Sequence, residues 1–164
     1  MSLDSGSLPH VSNIDKAEVY METIKDKMTD DHRHCDEMFA EAEDLVTRDD
    51  WTNAIKRFDE FAKAMDHHFN MEEEVLFPQF EQATGITAGP TEVMRSEHSQ
   101  MRLLIEAMDD AVHRSDSDEY LGQSETLLII MQQHNTKEEG MLYPMVDESI
   151  GDNVEQLLSS LNDI

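Results

Sequence analysis

The 164-residue sequence predicts an all-α fold, an antiparallel up-down four-helix bundle with a short C-terminal helix. Three observations predict it. Apolar residues recur at spacings of three and four through four long stretches. The connections between those stretches are mostly short and polar. Only 6 Gly and 4 Pro interrupt the chain, too few for the frequent turns of an all-β fold.

Residues 1–13 read as a flexible N-terminal arm, and 14–164 as one domain long enough to bury a core. The first helix is expected from Asp15 to about Arg48, with Ile24, Met28, Cys35, Phe39 and Ala42 on its inner face. Asp49-Asp50 supplies turn and N-cap chemistry ahead of Trp51. A second helix runs from Trp51 to about Gln82 through Phe58, Phe61, Met65 and Phe69, and Pro78 is expected to bend or end its regular part. Thr84 to Pro90, with two glycines, is the clearest loop. The third helix spans Thr91 to about Arg114. Ser115-Asp-Ser-Asp118 leads into a fourth, about Glu119 to Glu148, with Gly140 and Pro144 breaking its later part. Asp152-Asn153 caps a short closing helix through Leu157, Leu158 and Leu161.

A formal net charge of −25 argues against nucleic acid or an anionic membrane as partner, because both would be repelled. Cys35 is the single cysteine, so no internal disulfide can form. The first ten residues lack the basic and apolar regions of a signal peptide, and no apolar run approaches the roughly 18 residues of a membrane span. A cytoplasmic protein, monomer or homodimer, is expected.

The chain also repeats at an offset of 66 residues, which relates His32 to His98, His68 to His134, Glu72 to Glu138 and Pro78 to Pro144. Both halves carry His-x-x-x-Glu-Glu-x-apolar-Leu-aromatic-Pro, once from His68 and once from His134. The four-residue spacing puts each His and Glu on one helical face, a turn apart. His32 and His68 lie nearly equally far from the turn joining their helices, as do His98 and His134 from theirs, so all four imidazoles can share one level. Four imidazoles and two carboxylates form a mixed N/O set suited to iron or manganese rather than to a tetrahedral structural zinc. Glu72 and Glu138 can each bridge two metals, leaving two His for each.

The order His, His-x-x-x-Glu, His, His-x-x-x-Glu, each unit ending in aromatic-Pro, resembles the hemerythrin-like family, specifically its His-His-Glu cation-binding branch. The resemblance runs from about Lys27 to Glu148. It implies a bundle enclosing an oxo-bridged, non-haem di-iron centre: two Fe ions, with Mn or Zn as substitutes, held by His32, His68, Glu72, His98, His134 and Glu138. It further implies a small diatomic ligand, O2 or NO. The oxygen carriers of the family have a second His four residues after the third-helix His, where this chain has Arg102, and an Asp five after the fourth-helix His, where it has Glu139. The expected role is therefore sensing or iron handling, with two equivalent halves. The alternative is a di-iron enzyme reducing NO or peroxide, or an iron donor in repair of damaged iron centres.

Neighbouring residues carry plainer readings. His68 is preferred over His67, and His32 over His34, because only the chosen pair keeps the repeat. Glu73 and Glu139 are expected on a solvated face, with a hydrogen bond to a ligand N–H as the alternative. Asp31 and Glu97 read as surface charge or as the lining of a proton or ligand path. Tyr143 and the methionines read as packing, Cys35 as a small buried apolar residue, and His10 and His113 as exposed.

Overall fold

A computed structural model describes residues 21–164, which are helical with no strand. The helices are α1 (Ile24–Thr47), α2 (Trp51–Asn70), α3 (Phe77–Thr84), α4 (Pro90–His113), α5 (Ser117–Lys137), α6 (Tyr143–Ile150) and α7 (Val154–Asn162). α1 packs on α2 and α4 on α5; α2 against α4, and α1 against α5 and α6, close an antiparallel bundle. The expected arm and the first residues of the expected first helix lie outside the described residues. The helix itself begins at Ile24, later than its periodicity suggests, because Thr23 and Asp26 form a reciprocal capping box.

The two prolines do not end their helices. A π-helical turn, Met71–Leu76, joins α2 to α3, and a second, Glu138–Leu142, joins α5 to α6. Proline lacks the N–H that an α-helix would use at that point, and a turn closed over five residues absorbs the mismatch without breaking the rod. Each π turn is closed by the residue before the proline: the Phe77 N–H donates to the Glu72 carbonyl, and the Tyr143 N–H to that of Glu138. Gly140 lies inside the second π turn, so the expected break is a widening.

The 66-residue offset extends to backbone details. Asp49 and Ser115 both sit at positive φ in the turns between paired helices, and Gly85 and Gly151 at positive φ after α3 and α6. Asp50 and Asp116 cap α2 and α5. Asp147 accepts hydrogen bonds from the Ile24 and Lys25 N–H groups at the start of α1, while its counterpart Glu81 holds Thr91 and Arg95 at the start of α4. Asn153 precedes α7 without a side-chain cap; a 3₁₀ turn, Gly151–Asn153, leads in instead.

Two apolar clusters fill the bundle. One, nearer the tight turns, holds Phe39, Phe58, Phe61, Met65, Met101 and Tyr120; the other, nearer the prolines, holds Met28, Phe77, Phe80, Met94, Tyr143 and Leu161 of α7. Cys35 is buried, and its thiol is pushed up to about 12 by burial and by Asp31 and Asp36. Between the clusters lies one polar layer. Asp147→Ala should remove the cross-bundle cap of α1 and lower unfolding free energy by about 1 kcal/mol in urea titration, with unchanged denaturant slope.

Candidate metal centre

All six side chains singled out from the sequence meet in that layer. His32, His68, Glu72, His98, His134 and Glu138 are at most 5% exposed, whereas His34 and His67 face solvent. His32 Nε2 lies 3.1 Å from His68 Nε2, and His98 Nε2 lies 3.1 Å from His134 Nε2, so the imidazoles pair within each half. The carboxylates join the halves. Glu72 Oε2 is 3.4 Å from His68 Nε2 and 3.2 Å from His98 Nε2. Glu138 Oε1 is 3.0 Å from His134 Nε2, while its Oε2 is 3.2 Å from His32 Nε2.

Every imidazole turns its other nitrogen to an acid. His32 Nδ1 meets Glu139 at 2.7 Å, His68 Nδ1 meets Asp31 at 2.7 Å, His98 Nδ1 meets Glu73 at 2.8 Å, and His134 Nδ1 meets Glu97 at 2.8 Å. Glu73 and Glu139 therefore reach across the bundle to histidines rather than lying on a solvated face, and Asp31 and Glu97 do the same within their own helix pairs. A carboxylate at Nδ1 holds the proton there and leaves the Nε2 electron pair pointing inward. Burial raises the Asp31 carboxyl, but the bond to His68 overrides it and holds the group below its usual range. Glu73 and Glu97 are lowered against burial in the same way, by Arg102 with His98 and by Lys137 with His134.

The inward electron pairs need something positive among them. A proton is the least that serves: burial pulls His32 down, but hydrogen bonds to Glu138 and Glu139 raise it to about 9, and Glu138 raises His134 likewise. Protons do not satisfy the whole cluster, since Glu72 Oε2 and Glu138 Oε1 are buried without a hydrogen-bond donor. Two overlapping donor groups fit cations: Glu72, His98, His134 and Glu138, and His32, His68 and Glu138. Nitrogen and carboxylate donors that converge, orphaned oxygens included, suit a bound metal ion.

Tyr143 does more than pack. Its buried hydroxyl donates toward Glu72 Oε1 at 2.7 Å and Glu138 Oε2 at 3.0 Å, and lies 3.2 Å from His32 Nε2. Residues five apart in an α-helix diverge by about 140°, which hid this tyrosine from the spacing of the sequence. The π turn brings it back beneath Glu138. Its counterpart Phe77 stacks on His98 with centroids 5.8 Å apart. Arg102 lies outside the donor layer, bonded to Glu73 at 2.8 Å and set over the Phe69 ring. His113 is half-exposed on the Asp109 carbonyl, and His10 lies outside the described residues.

The raised His32 sets a sign for metal-free protein. Its folded value of about 9 exceeds the usual 6.5, so its contribution to stability is complete below 6.5 and is lost as pH rises through 9. Metal-free protein should therefore melt lower at pH 9 than at pH 6.5 in a circular-dichroism scan. Metal-loaded protein should gain over the same interval as protons cease to compete for the nitrogens. A flat metal-free profile would count against a shared proton.

The model of the hemerythrin HHE cation-binding domain matches residues 23–146, a span that holds all six donors and Tyr143. No match was found among curated proteins or among solved structures. With three quarters of its length under that model and a buried His/Glu cluster at its centre, the chain belongs to the hemerythrin HHE cation-binding domain family.

Proposed function

We propose that the chain is a hemerythrin-like, non-haem di-iron protein that binds a small gas, O2 or NO, for sensing or iron handling. The observation that supports this best is the direction of the four imidazoles: every Nδ1 faces a carboxylate, and every Nε2 faces the same small volume. His32, His68, Glu72, His98, His134 and Glu138 are the proposed ligands, with Glu72 and Glu138 shared between two irons. Mn or Zn can substitute in such a set. Bound iron would supply an open, redox-capable position for a diatomic ligand.

The protein's own part is to hold and seal. Asp31, Glu73, Glu97 and Glu139 fix the ring orientations, and the apolar clusters on both sides keep bulk water from the layer. Donors this deeply buried favour a ligand the size of a diatomic over a larger substrate. No helix of the described residues is long and apolar enough to cross a membrane. We read the chain as cytoplasmic, a monomer or homodimer.

Protein loaded with Fe(II) under nitrogen should retain close to two irons per chain by metal analysis. Glu72→Ala/Glu138→Ala should retain less than about a tenth of that at equal free iron, given losses of 10–100-fold for lesser changes around metal sites. One tightly held zinc and no iron would refute the di-iron reading. Added NO should give a stoichiometric adduct and then stop; consumption over many cycles with a reductant would favour an enzyme that reduces NO.

A further inference from the structure

The repeat makes the outer surfaces of the two helix pairs comparable position by position, and they differ in charge. On α1 and α2, Lys27, Asp30, Glu37, Glu60, Lys63 and Asp66 are charged. At an offset of 66 residues, α4 and α5 carry Val93, Ser96, Leu103, Thr126, Ile129 and Gln132 instead, all uncharged and all exposed. Val93, Leu103 and Ile129 are 48%, 67% and 52% exposed. A chain with 37 acidic and 12 basic residues does not leave such a face uncharged by composition alone.

The spacing is that of a helix seam. On α4 the stripe runs Val93, Ser96, Gln100, Leu103 and Ala107, in alternating steps of three and four. On α5 it runs Gly122, Thr126, Ile129, Gln133 and Thr136, in the same steps. A mean spacing of 3.5 residues turns one stripe of a helix continuously toward another helix. The inner faces of α4 and α5, through Met94, Met101, Leu127 and Met131, are already packed in the bundle, so this is a second, unpartnered seam. The two stripes lie side by side. Leu103 is five residues after His98 and Ile129 five before His134, so the antiparallel pair brings them to one level. The bordering charges are Glu97 and Lys137, bonded to each other, and Glu125.

The charge selects the occupant. Two chains of net charge −25 repel, and they approach at least cost where both surfaces are uncharged. A two-fold interface sets a surface against itself. Glutamine amides, donor and acceptor at once, can satisfy one another in that arrangement, whereas carboxylates cannot. A basic partner would be drawn to the acidic faces instead. The size is also right for a small dimer. Val93 to Ala107 spans about 21 Å along two helices each about 10 Å wide, a flat footprint of about 400 Å² per chain. Doubled, and with side-chain relief added, that approaches the roughly 1,000 Å² at which specific interfaces begin. A recess among Ile129, Gln132, Gln133, Thr136 and Lys137 offers room for a side chain of the facing copy.

We propose that the outer face of α4 and α5 joins two copies of this chain into a symmetric homodimer. None of its residues is a metal donor, so the proposal stands apart from the di-iron reading.

Sedimentation equilibrium on the full chain, iron-loaded and metal-free, should show reversible association at micromolar concentrations to twice 18.8 kDa. Leu103→Glu/Ile129→Lys gives this face the pair that Glu37 and Lys63 form on the other half and leaves the net charge unchanged. It should keep the helix content while weakening association at least about tenfold, the scale of losing central contact residues. Thr126→Glu/Gln132→Asp alters only exposed polar side chains, so folding is not at stake, and should weaken association by a similar factor. A chain that stays at 18.8 kDa throughout would overturn the proposal, as would a dimer that the folded variants leave intact.

Discussion

Everything in this fold is arranged around electron pairs that face one another out of water. Six side chains at most 5% exposed point nitrogens and carboxylate oxygens into one volume. Burying a carboxylate without a counter-charge costs several kcal/mol, and here two lie in the same layer. The arrangement is tolerable only with cations inside it. The apolar clusters above and below then have a second task besides stability. Close-packed, they stop the layer from collapsing or opening to relieve its own repulsion.

The backbone meets this demand through a departure from regular helix. A straight α-helix could place His68 and Glu72, or His134 and Glu138, on one face. It could not also bring in the residue five beyond the Glu. The π turns that begin at Met71 and Glu138 do so, and the prolines after them keep the wider turn from reverting, since neither can donate the next α-helical hydrogen bond. The aromatic-Pro ending of each repeat is in this sense part of the site. It lays Phe77 on one imidazole pair and Tyr143 against the other.

Much of this was legible in the residues. The repeat, the His-x-x-x-Glu spacing and the nearly equal distances from the turns bring the six donors to one level, because an α-helix converts spacing into direction. What was not legible depends on contacts between helices. Glu73 and Glu139 looked like surface acids because each lies about 100° round its own helix from the ligand beside it. That same angle aims them at a histidine on another helix, a relation no single-helix pattern contains. Tyr143 was misread because the spacing argument assumed 3.6 residues per turn where the chain uses a wider one. The start of α1 at Ile24 depends on a local cap and on Asp147, a residue 123 positions away, and periodicity registers neither distance nor cap.

A duplicated skeleton need not keep a duplicated electrostatic field. Asp36 and Arg102 occupy the rim of the layer, where side chains reach solvent and a charge can reverse without disturbing the packing. Lys137, half-exposed just before the second π turn, has the buried Met71 as its counterpart at the start of the first. The aromatic position is stricter. Replacing a buried phenyl ring by a phenol adds one oxygen, and a buried hydroxyl without a partner costs free energy on the scale of a lost hydrogen bond. Tyr143 satisfies that requirement only because its hydroxyl finds hydrogen-bond partners on both helix pairs, Glu72 and His32 on one and Glu138 on the other. The hydroxyl is therefore tied to the ligand layer by the same constraint that shapes the layer: a polar atom this deep must be shared. Symmetry in the backbone fixes where the donors stand, while the side chains around them differ between the halves.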